Sequence, residues 1–148
     1  MNLSIIIPLY NEEESIGELN KRLKEVLVKL KINYEILYID DGSRDTSVKI
    51  LRTLSAQDEH LRIIELKRNF GKSIALAVGF EQVLGDLVVT MDADLQDDPG
   101  EIPRLIEKIN SGYDLISGWK YKRKDPFVKI LSSKIFNFTV SLFSGLKL

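Results

Sequence analysis

Asp92 and Asp94 stand two positions apart, directly after the apolar run Leu87 to Met91. Carboxylates at that spacing on an extended segment project to one side and can face a single hard cation together. Oxygen ligands select Mg²⁺ or Mn²⁺ over softer metals, and a diphosphate can complete the coordination while charge on a leaving group is neutralised. A D-x-D string alone equally suits a loop-capping pair, because Asp is common in turns; its place after a buried strand favours the ligand reading. Asp40-Asp41-Gly42-Ser43 follows a second β-rich run. It reads as an Asx turn with Gly at positive φ, and Asp40 also stands where a carboxylate could accept from a nucleobase edge or ribose hydroxyls. Lys72 follows Gly71 at an expected helix start. An ammonium beside free backbone N–H groups favours phosphate, and a solvated first-turn lysine is the plain alternative. Neither G-x-x-x-x-G-K-[ST] nor G-x-G-x-x-G occurs, so the phosphate loop and the dinucleotide fingerprint are excluded. With no cysteine and His60 alone in a polar stretch, any metal must be held by oxygen.

The elements that must position these residues alternate between two periods. Leu3 to Ile7 reads as a strand stopped by Pro8, and Pro8-Leu9-Tyr10-Asn11-Glu12 follows it. After the acidic Glu12, Glu13 and Glu14, residues Ile16, Leu19, Leu23, Val26, Leu27 and Leu30 recur at helical spacing. Strands are expected at Tyr34 to Ile39, Leu61 to Leu66, Leu87 to Met91 and Tyr113 to Ser117. Helices are expected from Asp45 or Thr46 to about Glu59, from Lys72 to Leu84 and from Pro99 to Asn110. Such alternation predicts a three-layer α/β/α fold with a mostly parallel central sheet, and ligands gather at the carboxyl ends of its strands.

The 148 residues suffice for one hydrophobic core. A core over residues 1–118 and a basic amphipathic element over 119–148 are expected as parts of one domain. The overall charge of -1 hides an asymmetry: from Trp119 onward seven basic residues face Asp125 alone. There Ile130, Leu131, Ile135, Phe138 and Leu142 follow helical spacing, which suits a membrane surface or phosphate as well as an ordinary solvated helix face. No export signal follows Met1 and no run approaches the roughly 18 to 20 apolar residues that span a bilayer, so the cytosolic face of a membrane is the expected location. No nucleic-acid partner is expected.

Four ordered stretches, Ile5-Ile6-Ile7-Pro8-Leu9-Tyr10-Asn11-Glu12, Tyr38-Ile39-Asp40-Asp41-Gly42-Ser43, Asn69-Phe70-Gly71-Lys72 and Met91-Asp92-Ala93-Asp94-Leu95-Gln96-Asp97-Asp98-Pro99, resemble the inverting family 2 glycosyltransferases. The D-A-D-L-Q-D-D-P form is most similar to their dolichol-phosphate mannose synthase and bactoprenol-phosphate glucosyltransferase branch, over Leu3 to about Asn137. The resemblance implies a GT-A type, Rossmann-like nucleotide-diphospho-sugar transferase. It implies that Pro8, Tyr10 and Glu12 line the base and ribose pocket beside Asp40, that Asn11 also belongs to the nucleotide-sugar site, and that Asp41 and Lys72 lie near the nucleotide sugar. Asp92, Ala93 and Asp94 would meet the donor, with Asp92, Asp94 and Gln96 around Mg²⁺ or Mn²⁺ and the two aspartates catalytic. Lys120, Arg123 and Lys129 would clamp phosphates. Relatives often carry arginine at the position of Lys120 and sometimes at that of Lys129, and lysine forfeits arginine's planar bidentate contact. The branch usually continues into interfacial or membrane-spanning segments, so a truncated acceptor site is expected.

The implied reaction moves a hexose from a UDP- or GDP-sugar to a polyprenyl phosphate. A lipid phosphate is already anionic, whereas a hydroxyl acceptor needs a general base. Three other readings stay open: a family 2 enzyme acting on a polysaccharide or other hydroxyl, a silent nucleotide-sugar-binding fragment, and a receiver-type signalling module. In the last the acidic pair should follow the first strand, and here Asp40-Asp41 follows the second.

Overall fold

The computed structural model describes residues 2–118. Its sheet has four strands, β1 (Asn2–Leu9), β2 (Asn33–Asp40), β3 (Leu61–Glu65) and β4 (Leu87–Thr90), in the order β3-β2-β1-β4. Every pairing is parallel, with Ile6 opposite both Leu37 and Thr90. Parallel crossovers are right-handed, so the direction in which the chain moves across the sheet decides which face each helix covers. From β1 to β3 the chain moves one way, and α1 (Ile16–Leu30) and α2 (Ser47–Ser55) lie on one face. It then returns past β2 and β1 to reach β4, which sends α3 (Lys72–Gln82) to the other face. After β4, α4 (Ile102–Asn110) rejoins the first face.

Strand alternation divides the core accordingly. Leu3, Ile5, Ile7, Ile36 and Tyr38 pack with Leu19, Leu23, Leu51 and Ile106, whereas Ile6, Leu37 and Ile39 meet Ala75. A Cβ on Gly79 would lie 2.6 Å from Ile6 Cγ2, so α3 rests close on the sheet through its small residues.

Several expected boundaries differ for physical reasons. Pro8 does not stop β1, which pairs with β2 as far as Leu9 opposite Asp40. Ile6 accepts from Met91 on the β4 side, and Pro8 faces that side two residues later, where β4 has ended. Its missing N–H therefore forfeits no ladder bond. The helix expected from Pro99 begins as a 3-10 turn (Pro99–Glu101), because Pro103 at the head of α4 has no N–H for an α-helical bond, and Ile102 N–H reaches back only to Pro99. The helix expected from residue 45 or 46 to 59 is shorter, Ser47–Ser55. The strand expected at Tyr113 to Ser117 does not form: β4 pairs with β1 alone among the described residues, and Leu115 is 85% exposed. The expected C-terminal helix lies outside the described residues.

Away from the strand ends that carry the acidic motifs, one buried carboxylate ties α3's exit to the sheet. Glu35 of β2 lies opposite Ser4 of β1. Its Oε1 accepts the Ser4 hydroxyl at 2.5 Å and the Leu84 N–H at 2.6 Å, and its Oε2 accepts Arg62 at 2.6 Å. Ser4 Oγ in turn accepts the Gly85 N–H at 2.9 Å. Burial pushes the Glu35 carboxyl up, but the bonds from Ser4, Arg62 and Leu84 outweigh it and hold the group below the ordinary glutamate range. A depressed folded-state pKa adds stability above the ordinary value that is lost as pH falls through the folded value. Glu35→Ala should lower the unfolding free energy by about 2–4 kcal/mol near neutral pH. In urea titrations from about pH 7 to about pH 3.5, the gap between the two proteins should narrow towards the acid end; a gap that stays constant would contradict this account.

Candidate active site

Strand order reverses between β1 and β4, and a parallel sheet opens a crevice outside the carboxyl ends of the strands at such a point. There Pro8, Leu9 and Tyr10 from the end of β1, Glu12 beyond it, Asp41 after β2, Asn69, Gly71 and Lys72 after β3, and Asp92, Ala93 and Asp94 after β4 line a cleft of about 250 Å³. A larger, shallow depression of about 670 Å³ runs along α2 beside Lys49 and Arg52, and it receives none of the strand-end residues.

The walls are fixed by hydrogen bonds between loops. Asp41 is 3% exposed, and its two oxygens accept the Phe70 and Gly71 N–H groups, each at 2.8 Å, which holds the start of α3 against the end of β2. Gly42 has φ +72, and a Cβ there would lie 2.5 Å from the Arg68 carbonyl carbon, so only glycine lets these turns close together. Asp40 accepts from the Gly42 and Ser43 N–H groups at 3.1 Å as the expected Asx turn. A second set of bonds joins the segment after β1 to the start of α2. Ser43 Oγ accepts the Asn11 N–H, Asn11 Oδ1 accepts the Arg44 N–H, Ser47 Oγ accepts the Glu12 N–H, and Glu13 Oε2 caps Thr46.

Beyond β4 the chain turns sharply. Leu95 has φ +63, Asp94 Oδ1 accepts the Gln96 N–H at 3.0 Å, and Asp97 accepts the Asp92 N–H at 3.2 Å. Lys72 Nζ forms an ion pair with Asp92 across the cleft. Among the described residues no three His, Cys, Asp or Glu side chains form a ready metal cage. Asp92 and Asp94, which both line the cleft, would suit Mg²⁺ or Mn²⁺ if a diphosphate and water supplied the remaining oxygens, which is how Mg²⁺ is commonly bound.

The model of the family described as Glycosyl transferase family 2 matches residues 4–146. The chain belongs to that family. It is 42% identical over 144 residues to an undecaprenyl-phosphate 4-deoxy-4-formamido-L-arabinose transferase of Pseudomonas fluorescens (strain SBW25), covering 97% of this chain and 42% of the relative. A transferase of the same description from Klebsiella pneumoniae (strain 342) is 41% identical, with 97% and 44% covered. The chain thus spans less than half the length of these curated relatives. Among solved structures, residues 1–349 of S. aureus TarS superpose with a TM-score of 0.63 at 24% identity, over 85% of this chain and 38% of that one. The mannosyltransferase PcManGT from Pyrobaculum calidifontis, in complex with GDP-Man and Mn²⁺, gives 0.56 at 26% identity, over 62% and 27%. The fold is the three-layer GT-A type of glycosyltransferases.

For this family 2 chain the cleft gathers Pro8, Tyr10, Glu12, Asp41, Lys72, Asp92, Ala93 and Asp94 from the expected site. It does not gather Asp40, Asn11 or Gln96: Asp40 is buried in its turn, the Asn11 amide oxygen is taken by Arg44, and the exposed Gln96 meets Asp94 through its backbone. Lys120, Arg123 and Lys129 lie outside the described residues. Leu9, Asn69, Gly71 and Ala75 also line the cleft and were not expected to; for the first three, a place within the stretches Ile5 to Glu12 and Asn69 to Lys72 was the available signal. Asp41→Asn would turn an amide N–H₂ towards one of the two N–H groups that Asp41 accepts. It should speed amide exchange at Phe70 and Gly71 and destabilise the protein by about 1–3 kcal/mol, and unchanged exchange at both would show that these bonds do not hold the loop.

Proposed function

We propose that the chain is the donor-binding part of an inverting glycosyltransferase that moves a sugar from a nucleoside diphosphate carrier to undecaprenyl phosphate. The observation that carries this reading is the convergence of Asp92 and Asp94 with Lys72 at the switch point of the sheet. The acceptor is drawn from the two relatives' names. Both also name a derivative of arabinose, a five-carbon sugar, so the donor class is widened from a hexose to a hexose or pentose.

Tyr10 and Pro8 offer a flat, partly apolar wall for the nucleoside, and Asp41 holds the opposing wall through its two backbone bonds. Asp92 and Asp94 would hold Mg²⁺ or Mn²⁺, which supplies positive charge to the departing nucleoside diphosphate. Lys72 stands in the first turn of α3, where its ammonium and the helix N-terminus can both neutralise phosphate. Attack by a lipid phosphate oxygen on the anomeric carbon breaks the bond to the diphosphate and inverts the configuration. The acceptor needs no base, because its phosphate is already anionic.

The cleft's own acids fit this choice. Asp41 is occupied by two N–H groups and the Glu12 carboxylate accepts the Ser15 hydroxyl at 2.9 Å, while Asp92 and Asp94 are the metal candidates. No helix among the described residues is long and apolar enough to cross a membrane. Approach to a membrane face is proposed through the basic segment after Gly118, whose seven cations suit anionic lipid.

Thermal unfolding with UDP- and GDP-sugars, with and without Mn²⁺, tests the donor half. One nucleotide class should raise the midpoint only with metal, and Asp94→Ala should lose that shift. Transfer to undecaprenyl phosphate by the wild type, reduced at least roughly a hundredfold in Asp94→Ala, would establish the reaction. Full metal-dependent transfer by Asp94→Ala would overturn the assignment.

A further inference from the structure

Among the described residues Lys72 is the one basic side chain lining the cleft, which it shares with Glu12, Asp41, Asp92 and Asp94. Two of these acids are engaged locally, Asp41 by the Phe70 and Gly71 N–H groups and Glu12 by the Ser15 hydroxyl. The ammonium is spent on Asp92, one of the two carboxylates with the spacing to hold a cation. The pair joins the first turn of α3, which follows β3, to the segment that leaves β4 beside the switch point. It is also open to water, with the Lys72 side chain 57% exposed and that of Asp92 36% exposed.

We propose that Lys72 is an internal counter-ion that competes with the divalent cation for Asp92 and is released to the donor's diphosphate when cation and nucleotide enter together. This role rests on the donor reading above and adds to it an order of binding. An ammonium and a divalent cation cannot share one carboxylate without mutual repulsion, so cation alone meets an occupied ligand. A nucleoside diphosphate brings at least two negative charges to the same place and removes both conflicts, giving the ammonium a new partner and leaving Asp92 to the metal. Exchange is easy because an ion pair this exposed holds its partners only weakly. Asp41 keeps the exchange short in range, since its bonds to Phe70 and Gly71 anchor the backbone from which Lys72 projects. Cation and nucleotide must then bind with positive coupling, each raising the affinity for the other by the same factor.

Mn²⁺ binding to the 148-residue chain, followed by the electron paramagnetic resonance of the free ion, reads this directly without turnover. It would be measured with no nucleotide, with UDP and with GDP, on the wild type, Lys72→Met, Lys72→Arg and Asp94→Ala. Without nucleotide, Lys72→Met should bind Mn²⁺ roughly threefold to tenfold more tightly than the wild type, whereas Lys72→Arg, which keeps the charge, should stay near it. Adding the nucleotide that the wild type accepts should strengthen Mn²⁺ binding less in Lys72→Met than in the wild type. Equal or weaker Mn²⁺ binding by nucleotide-free Lys72→Met, beside normal joint binding of Mn²⁺ and nucleotide by the wild type, would overturn the counter-ion role and spare the donor reading. A wild type that binds neither nucleotide with Mn²⁺, or an Asp94→Ala variant that binds both unchanged, would remove the donor reading and this role with it.

Discussion

The return of the chain past β2 and β1 to place β4 beside β1 is the constraint on which the rest of the molecule depends. A right-handed crossover in the reverse direction can only put α3 on the opposite face from α1 and α2. That single reversal gives the sheet its second covering layer. It also opens a crevice between loops that leave in opposite directions, and the strand-end acids fall beside it. Gly79 belongs to the same constraint, because α3 sits close over Ile6 and Ile39 only where a side chain is absent. Glu35 secures the far end of the crossover, where the chain leaves α3 towards β4.

Polar groups at the carboxyl end of the sheet divide into those that build the cleft and those that face into it. Asp40 and Asp41 are adjacent and both nearly buried, yet they do different work. Asp40 closes its own turn within three residues, whereas Asp41 reaches some thirty residues along the chain to hold the next loop. Asn11 and Glu13 similarly serve the start of α2. Such bonds leave Asp92, Asp94 and Lys72 as the charged groups least committed to architecture. On the proposed reading these bonds matter because a cation or diphosphate site needs its carboxylates and ammonium held near their working positions before ligand arrives.

Much of this fold was legible in the sequence because its signals are local. Continuous apolar runs such as Ile5-Ile6-Ile7 and Ile36 to Ile39 declare buried parallel strands, and the helical spacing from Ile16 to Leu30 declares α1. The errors arose where a local rule met a tertiary circumstance. Pro8 normally ends a strand, but whether its missing donor matters depends on where β4 stops, which the sequence of β1 does not contain. Tyr113 to Ser117 has strand-like residues, but a strand also needs a ladder partner, and none pairs with it among the described residues.

The site was legible at a coarser level, as a set of strand ends rather than a set of roles. Position after a strand drew attention to Tyr10, Asp41, Asp92 and Asp94, and all four line the cleft. It could not say which of two neighbouring aspartates lines the cleft, since Asp40 accepts from its own turn while Asp41 accepts from backbone some thirty residues along the chain. Nor could it pair Lys72 with Asp92, which are twenty residues apart and meet only because β3 and β4 lie on opposite sides of β2 and β1 while α3 spans between them. Residue types in the motifs therefore name the candidates, while the reversal in strand order decides which of them line one cleft.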